Sequence, residues 1–262
     1  MLAVTQSALS DIRAGFRLRR VWLALAGEDI GDQHKSTVLG PLWLLFNYLA
    51  FAGVFIFIFN TGDGSPHYAA HVATGLLVWF FIMETLTLSV SLFVREESFI
   101  KGTTLPLTVY VMRLTMQSTI RAGYASVGCL GILALSGTPV TAAWAWALVG
   151  ILLILVTTPA AITVFAFLGA YFPDSQFIVN NVMRVGMFLT PVFWSYDGSD
   201  GIRHIFYWWN PFTYFLDVVR VPIVSGAFPA YALAVCAAIC ILAWTFAIAL
   251  LGRYRKQVVF ML

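Results

Sequence analysis

Charge is scarce in this sequence: Asp, Glu, Lys and Arg make up 10% of its 262 residues, against 60% for the hydrophobic types. Soluble domains carry about a quarter charged residues, so the composition excludes a soluble globular protein and places the chain in a membrane. Cysteine is sparse too. Cys129, Cys236 and Cys240 each fall inside an apolar stretch, which argues against a disulfide framework and a zinc site and leaves them as small hydrophobic residues. His34, His67, His71 and His204 are scattered and make no metal or triad pattern. The phosphate-cradling pattern G-x-x-x-x-G-K-[ST] is missing; its nearest approach, GDQHKST, has His34 where the second glycine belongs, so no nucleotide is expected to bind through such a loop. Nor does a signal-peptide core precede the first long apolar run, because Arg13, Arg17, Arg19, Arg20, Glu28, Asp29, Asp32 and Lys35 lie in that region. A retained N-terminus is the expectation.

Long apolar runs are what the chain has in abundance. A helix needs roughly 20 apolar residues to cross the hydrocarbon core, and six stretches qualify: about 38–60, 70–94, 107–136, 142–171, 177–195 and 229–251. An even number puts both termini on one side. Arg13, Arg17, Arg19, Arg20 and Lys35 precede the first run, Arg95 and Lys101 separate the second from the third, and Arg253, Arg255 and Lys256 follow the last. Only Arg203 and Arg220 fall clearly on the other side, so both termini are expected in the cytoplasm. Residues 61–69 and 137–141 read as short turns, and 196–228 as a long outer segment.

Two segments do not read as crossings. In LSDIRAGFRLRRVWLALAGEDI, the spacing of Leu9, Ile12, Phe16, Leu18, Trp22 and Leu25 predicts an amphipathic helix within residues 1–37. It would lie in the cytoplasmic interface with Trp22 at headgroup depth and its arginines near anionic lipid; a flexible basic tail is the alternative. In FYWWNPFTYFLDVVRVP, Asn210-Pro211 is a helix start and Pro222 a stop, leaving about half the residues a crossing needs. With a second short helix drawn from Ser199 or Asp200 through Trp208, the segment predicts a re-entrant or interfacial hairpin. Its aromatics, Tyr196, Phe206, Tyr207, Trp208, Trp209, Phe212, Tyr214 and Phe215, either anchor it in the interface or line an exit for a ligand with apolar faces and hydroxyl edges, such as a sugar.

Ionisable residues within spans are costly in lipid and usually face a bundle interior or water. Glu84 and Arg121 fall at similar depths and are expected to pair; a proton relay built on Glu84 is the alternative reading. Arg113 and Arg184 are expected nearer the cytoplasmic side, where long side chains reach the interface.

Five stretches in order, RRVWLALAGEDI leading to STVLGPLW, then FIKGTTLPLTVYVMR, FLTPVFW and NPFTYFLDVVRVPIVSG, resemble the permease subunit of bacterial ABC-type polysaccharide exporters, the branch that handles O-antigen and related surface glycans. The resemblance implies an all-α polytopic fold with six transmembrane helices (spans one to five within 38–195, span six at 229–251), the interface helix at 1–37, a periplasmic re-entrant hairpin at 196–228 framing the exit, and a cytoplasmic tail at 252–262. It implies a homodimer in the bacterial inner membrane with two copies of a separate ABC ATPase, which would hold ATP and Mg; no cofactor or metal is expected on this chain, and no nucleic acid among its partners. Glu96, Glu97, Phe99 and Lys101, in REESFIKGTTLP, become the candidate contacts to the ATPase, although Glu96 and Glu97 alone read as a solvated helix end. Arg113 and Arg220 fall where that branch tends to carry arginine. Two departures stand out: GDQHKSTVLGP leaves mainly Lys35 where relatives are more basic, and FPDSQ lacks a common Arg-Asp pair.

The expected function is therefore a non-enzymatic permease for an undecaprenyl-linked polysaccharide, its phosphates met near Lys35, Lys101 and Arg113 and its sugars sliding over aromatic rings. An ABC permease for small drugs or lipids and a membrane-embedded glycan transferase are the rivals.

Overall fold

The computed structural model describes residues 2–59, 67–196, 198 and 201–261. Among these the chain is all helical, without a strand. Two helices, α1 (Leu2–Arg17) and α2 (Arg19–His34), precede α3 (Leu42–Phe59) and α4 (Tyr68–Val90). Short α5 (Leu92–Arg95) and α6 (Glu97–Gly102) lead to α7 (Leu107–Leu135), α8 (Trp144–Tyr171) and α9 (Ser175–Leu189). The hairpin helices α10 (Ile202–Trp208) and α11 (Pro211–Val224) precede α12 (Ala230–Met261). By length and composition four described segments suffice to cross a membrane, Tyr68–Val90, Leu107–Leu135, Trp144–Tyr171 and Ala230–Val258. Leu42–Ile58 is apolar but shorter, and α9 has only 15 residues. The expected turn at 61–69 and the upstream start of the hairpin at Ser199 or Asp200 fall partly or wholly outside the described residues.

Helix α8 is the spine, packed against α12, α11 and α4. Glycines bring it close to two of them. A Cβ on Gly150 would lie 2.7 Å from the Val218 carbonyl oxygen of α11, and one on Gly169 would overlap the Val90 carbonyl oxygen that ends α4. Pro159 interrupts α8 by removing the donor that would close onto residue 155. One turn away the Trp244 indole N–H of α12 donates to the Val156 carbonyl at 3.0 Å. Buried Leu76 and Trp79 of α4 and Leu216, Val218 and Val219 of α11 share one core, while Phe93, Leu114, Ile162 and Phe167 build a second around the α4–α5 break.

The N-terminal region is two helices rather than one. It breaks at Leu18, and Trp22 is buried against Val109 and Met112 of α7 with its indole N–H donating to the Gly15 carbonyl at 3.3 Å. Further along, Asp29 and Gln33 bond Arg113, Gln117 and Arg121, so α2 climbs parallel to α7. The reason is polar: a carboxylate and an amide spaced i, i+4 on α2 meet partners spaced i, i+4, i+8 on α7.

The end of the chain differs as well. Helix α12 runs ten residues beyond the expected boundary at 251, because Val258 is buried and the Tyr254 ring packs edge-on against Tyr171 at 5.5 Å. Asp11 of α1, 1% exposed, explains the junction. Its Oδ2 accepts from the Thr108 backbone N–H at 3.0 Å and the Thr108 hydroxyl at 2.6 Å, capping α7 from another helix, while Arg255 approaches Oδ1 at 3.1 Å. Gly15 lets α1 approach closely, since a Cβ there would meet the Thr108 side chain at 2.7 Å. Asp11→Ala leaves buried donors without an acceptor and is expected to destabilise the protein by about 1–3 kcal/mol. Arg255→Ala, at a more exposed partner, is expected to cost less than about 1 kcal/mol. Thermal melts of the purified variants check the ranking, and equal melting temperatures would refute the capping role.

Candidate functional site

One end of the site is a polar ladder. Arg113 of α7 donates through Nε and Nη2 to both oxygens of Asp29 at 2.6 and 2.7 Å, and through Nη1 to Glu96 Oε2 at 3.0 Å. Gln117 bonds the same Asp29 carboxylate, and Arg95 approaches the other Glu96 oxygen at 3.6 Å. A two-pronged guanidinium contact of this kind fixes geometry as well as charge. One turn farther, Arg121 Nη1 meets Glu84 Oε1 at 2.6 Å and its Nη2 meets Gln33 Oε1 at 2.8 Å. Helix α2, the α5–α6 link, α4 and α7 are thereby joined through side chains, and the Glu84–Arg121 ion pair is present as their depths led us to expect.

Glu84→Gln removes the negative charge opposite an arginine that is 9% exposed, leaving only a neutral carbonyl acceptor. A destabilisation is expected that Arg121→Gln in the same chain partly relieves, with a coupling of about 0.5–3 kcal/mol in a double-mutant cycle. Additive losses would show that the two groups act independently.

The sequence-derived coupling residues separate into two kinds. Glu96 is buried, 7% exposed, and turned inward to Arg113; it is not a solvated helix end. Glu97 and Lys101 face outward and pair with each other at 2.6 Å on α6. Phe99 is 59% exposed between them, while Phe93 and Ile100 anchor the link from beneath. Arg113 is occupied by two carboxylates, so a phosphate would have to compete with both. Lys35 is free on the surface apart from a 3.8 Å contact to Asp32.

At the other end, Asn210 caps α11 as its pairing with Pro211 led us to expect: its Oδ1 accepts from the Phe212 N–H at 3.0 Å, and its Nδ2 donates to Thr190 Oγ1 at 2.7 Å, tying the hairpin to the end of α9. Pro222 does not stop α11, which continues to Val224. The carbonyl that loses its donor to Pro222 belongs to Val218, four residues back, and it is packed against Gly150. Arg220 is not on the outer surface. It is 5% exposed, lies against Gly75 of α4, and donates to the Pro191 and Val192 carbonyls at 2.7 and 3.5 Å.

The aromatics divide among three environments. Tyr196 stacks on Tyr207 at 4.9 Å, Tyr207 meets Trp208 at 5.5 Å, and Trp208 and Tyr214 both meet Tyr231 of α12, at 5.7 and 5.5 Å. The Tyr207 hydroxyl donates to Asp217 Oδ2 at 2.8 Å; burial and that neighbouring carboxylate push its phenol up from the ordinary value, so it stays a donor. Phe212 packs edge-on against Trp79, and Phe215 is buried. Phe206 and Trp209 join Asn181, Thr190, Asn210 and Phe212 around a groove of about 560 Å³ between α9 and the hairpin. Trp209 is 84% exposed there.

Sequence reading missed Asp11, Asp29, Gln33, Gln117, Asp217 and Tyr231. Apart from Asp217, whose partner Tyr207 is ten residues away, each lies far along the chain from at least one partner, or in a stretch whose charges read as solvated. Arg184, expected nearer the cytoplasmic side, stands two residues before Gly186, whose absent Cβ would lie 3.0 Å from the Trp79 ring. Trp79 is the middle residue of α4. Among the described residues no cluster of three His, Cys, Asp or Glu could hold a metal ion.

Comparison with known proteins accords with this architecture. Residues 22–224 match the family described as ABC-2 type transporter. Two proteins of Klebsiella pneumoniae, each called O-antigen export system permease protein RfbA, are 26% identical to the chain over 196 residues, which is 72% of this chain and 74% of the relative. With helices long and apolar enough to cross a bilayer several times and a match over most of its length, the chain is a multi-pass membrane protein that belongs to the ABC-2 type transporter family.

Proposed function

We propose that this chain is the permease subunit of an ATP-driven exporter that moves a lipid-linked polysaccharide, O-antigen or a similar surface glycan, across the bacterial inner membrane. Its likeness over 196 residues to permeases named for O-antigen export is the observation that carries the reading. Two copies would enclose the route, with six crossings each, both termini cytoplasmic, and α10–α11 dipping into the outer leaflet as a re-entrant hairpin. Spans one to five would lie within 38–195 and span six at the start of α12, with the hairpin segment 196–228 framing the exit. A separate ABC ATPase would bind ATP and Mg, and this chain would perform no chemistry.

The geometry supports a division of labour. Phe99, Glu97 and Lys101 stand out from α6 and would form the cytoplasmic surface on which an ATPase docks, and Glu96 behind them bonds Arg113. A push on α6 would therefore reach α2 and α7 through one guanidinium. Lys35 and Lys101 would meet lipid phosphates at the cytoplasmic mouth. Phe206, Trp209 and Phe212 line a groove together with Asn181 and Asn210, a composition suited to sugar C–H faces and hydroxyls. A ligand drives such a machine only by binding its states unequally.

The test is to purify the chain with its ATPase and titrate a defined lipid-linked glycan while measuring ATP turnover. A stable complex whose turnover responds to the glycan is expected. Full transport by this chain without any ATPase would defeat the reading.

A further inference from the structure

Helix α9 buries Ser175, Val179 and Met183, and it packs chiefly on α4 and α8. At about 100° per residue, Phe177, Asn180, Asn181, Arg184 and Phe188 share the face turned away from that buried side. Phe177, Asn181, Arg184 and Phe188 are exposed, and Asn180 is half-buried. Gly186, two residues beyond Arg184, meets the ring of Trp79, which lies about 16 Å from either end of α4 at 1.5 Å per residue. The Arg184 side chain is too short to carry the guanidinium to an interface from there. No carboxylate approaches it among the described residues, whereas Arg95, Arg113, Arg121 and Arg255 all have one.

A guanidinium with two neighbouring amides at that depth does not belong against acyl chains; such a face turns to water or to a polar ligand. Two phenylalanines flank it, and Asn181 continues into the aromatic groove below the hairpin. We propose that Arg184 is the residue of the transport route that reads negative charge, receiving the phosphate groups that join the glycan to its lipid carrier as they pass the middle of the membrane. Phosphate is the group addressed because it is common to every lipid-linked glycan of this kind whatever its sugars, and the planar guanidinium fork matches its oxygens. Asn180 and Asn181 would meet hydroxyls, and Phe177 and Phe188 the faces of sugar rings. The assignment rests on the exporter reading above.

The permease–ATPase complex, reconstituted in vesicles of phosphatidylethanolamine, is titrated with undecaprenyl pyrophosphate and, separately, with undecaprenol, which lacks phosphate. Wild-type turnover is expected to respond to the first and not to the second. Arg184→Gln is expected to raise the half-saturating concentration about tenfold or more, and Arg184→Lys, which keeps the charge, by much less. An unchanged response in Arg184→Gln overturns the assignment and leaves the exporter reading standing; a wild-type complex indifferent both to these lipids and to a lipid-linked glycan overturns the two together. A second measurement does not depend on turnover. Arg184→Cys is expected to react with a water-borne, membrane-impermeant maleimide, and complete protection by lipid in every nucleotide state overturns the placement of Arg184 in an aqueous route.

Discussion

Gly169→Ala is expected to remove most of the folded protein from the membrane. The added methyl group would occupy the place of the Val90 carbonyl oxygen, so two backbones must separate where α8 crosses the end of α4. Nothing flexible lies in between to yield: Phe93 and Phe167 pack edge-on at 5.3 Å beside the crossing, and both are fully buried. Overpacking usually costs about 1–3 kcal/mol, and a clash between two backbones belongs at or beyond the upper end of that range. Total stabilities are only about 5–15 kcal/mol. Gly131→Ala supplies the control, because a Cβ there meets nothing within 4 Å and alanine is the better helix former. Size-exclusion profiles and melting temperatures of the two variants should diverge sharply; a well-folded Gly169→Ala protein with wild-type stability would show that the close crossing is not required.

Arg113→Ala is expected to have the second-largest effect, both on stability and on coupling to the ATPase. It strands the carboxylates of Asp29 and Glu96 near one another with side chains only 22% and 10% exposed, and it leaves Asp29 with the amide of Gln117 and Glu96 with the 3.6 Å approach of Arg95. Losing one partner of a fully buried pair costs about 3–5 kcal/mol; the residual exposure here lowers the expectation to about 2–3 kcal/mol. Neutralising the stranded groups should return much of that loss, so Arg113→Met combined with Asp29→Leu and Glu96→Met is expected to melt near the wild type. The same triple variant should not recover glycan-dependent ATP turnover, since the link between α6, α2 and α7 would be gone. Recovery of turnover along with stability would mean that Arg113 holds the fold and transmits nothing.

These two positions differ in how far the sequence exposes them. Asn210-Pro211 announces a helix start because capping chemistry is local, and its hydrogen bonds need only residues two apart. Glu84 and Arg121 betray each other because charge is so rare in apolar runs that equal depth nearly compels a pairing. Asp29 sits among Glu28 and Asp32 in a polar stretch, where nothing local separates the one carboxylate that faces α7 from its solvated neighbours. Asp11 is hidden for a similar reason: its Thr108 partner lies 97 residues away. Gly169 looks like any helical glycine until the partner backbone is in place.

Hydropathy and run length, properties of the chain alone, determine that this protein is helical and lies in a membrane, since a bilayer admits only segments that satisfy their own backbone hydrogen bonds over a sufficient apolar length. They also mark the pair of short helices α10 and α11, through its prolines and aromatic residues. Which arginine is held by carboxylates, which is sealed against a glycine, and which is left bare on an outward face was decided only by the packing of α2, α4, α9 and α11. The worth of a charge depends on the groups within a few ångströms of it, and distant segments of the chain supply nearly all of them.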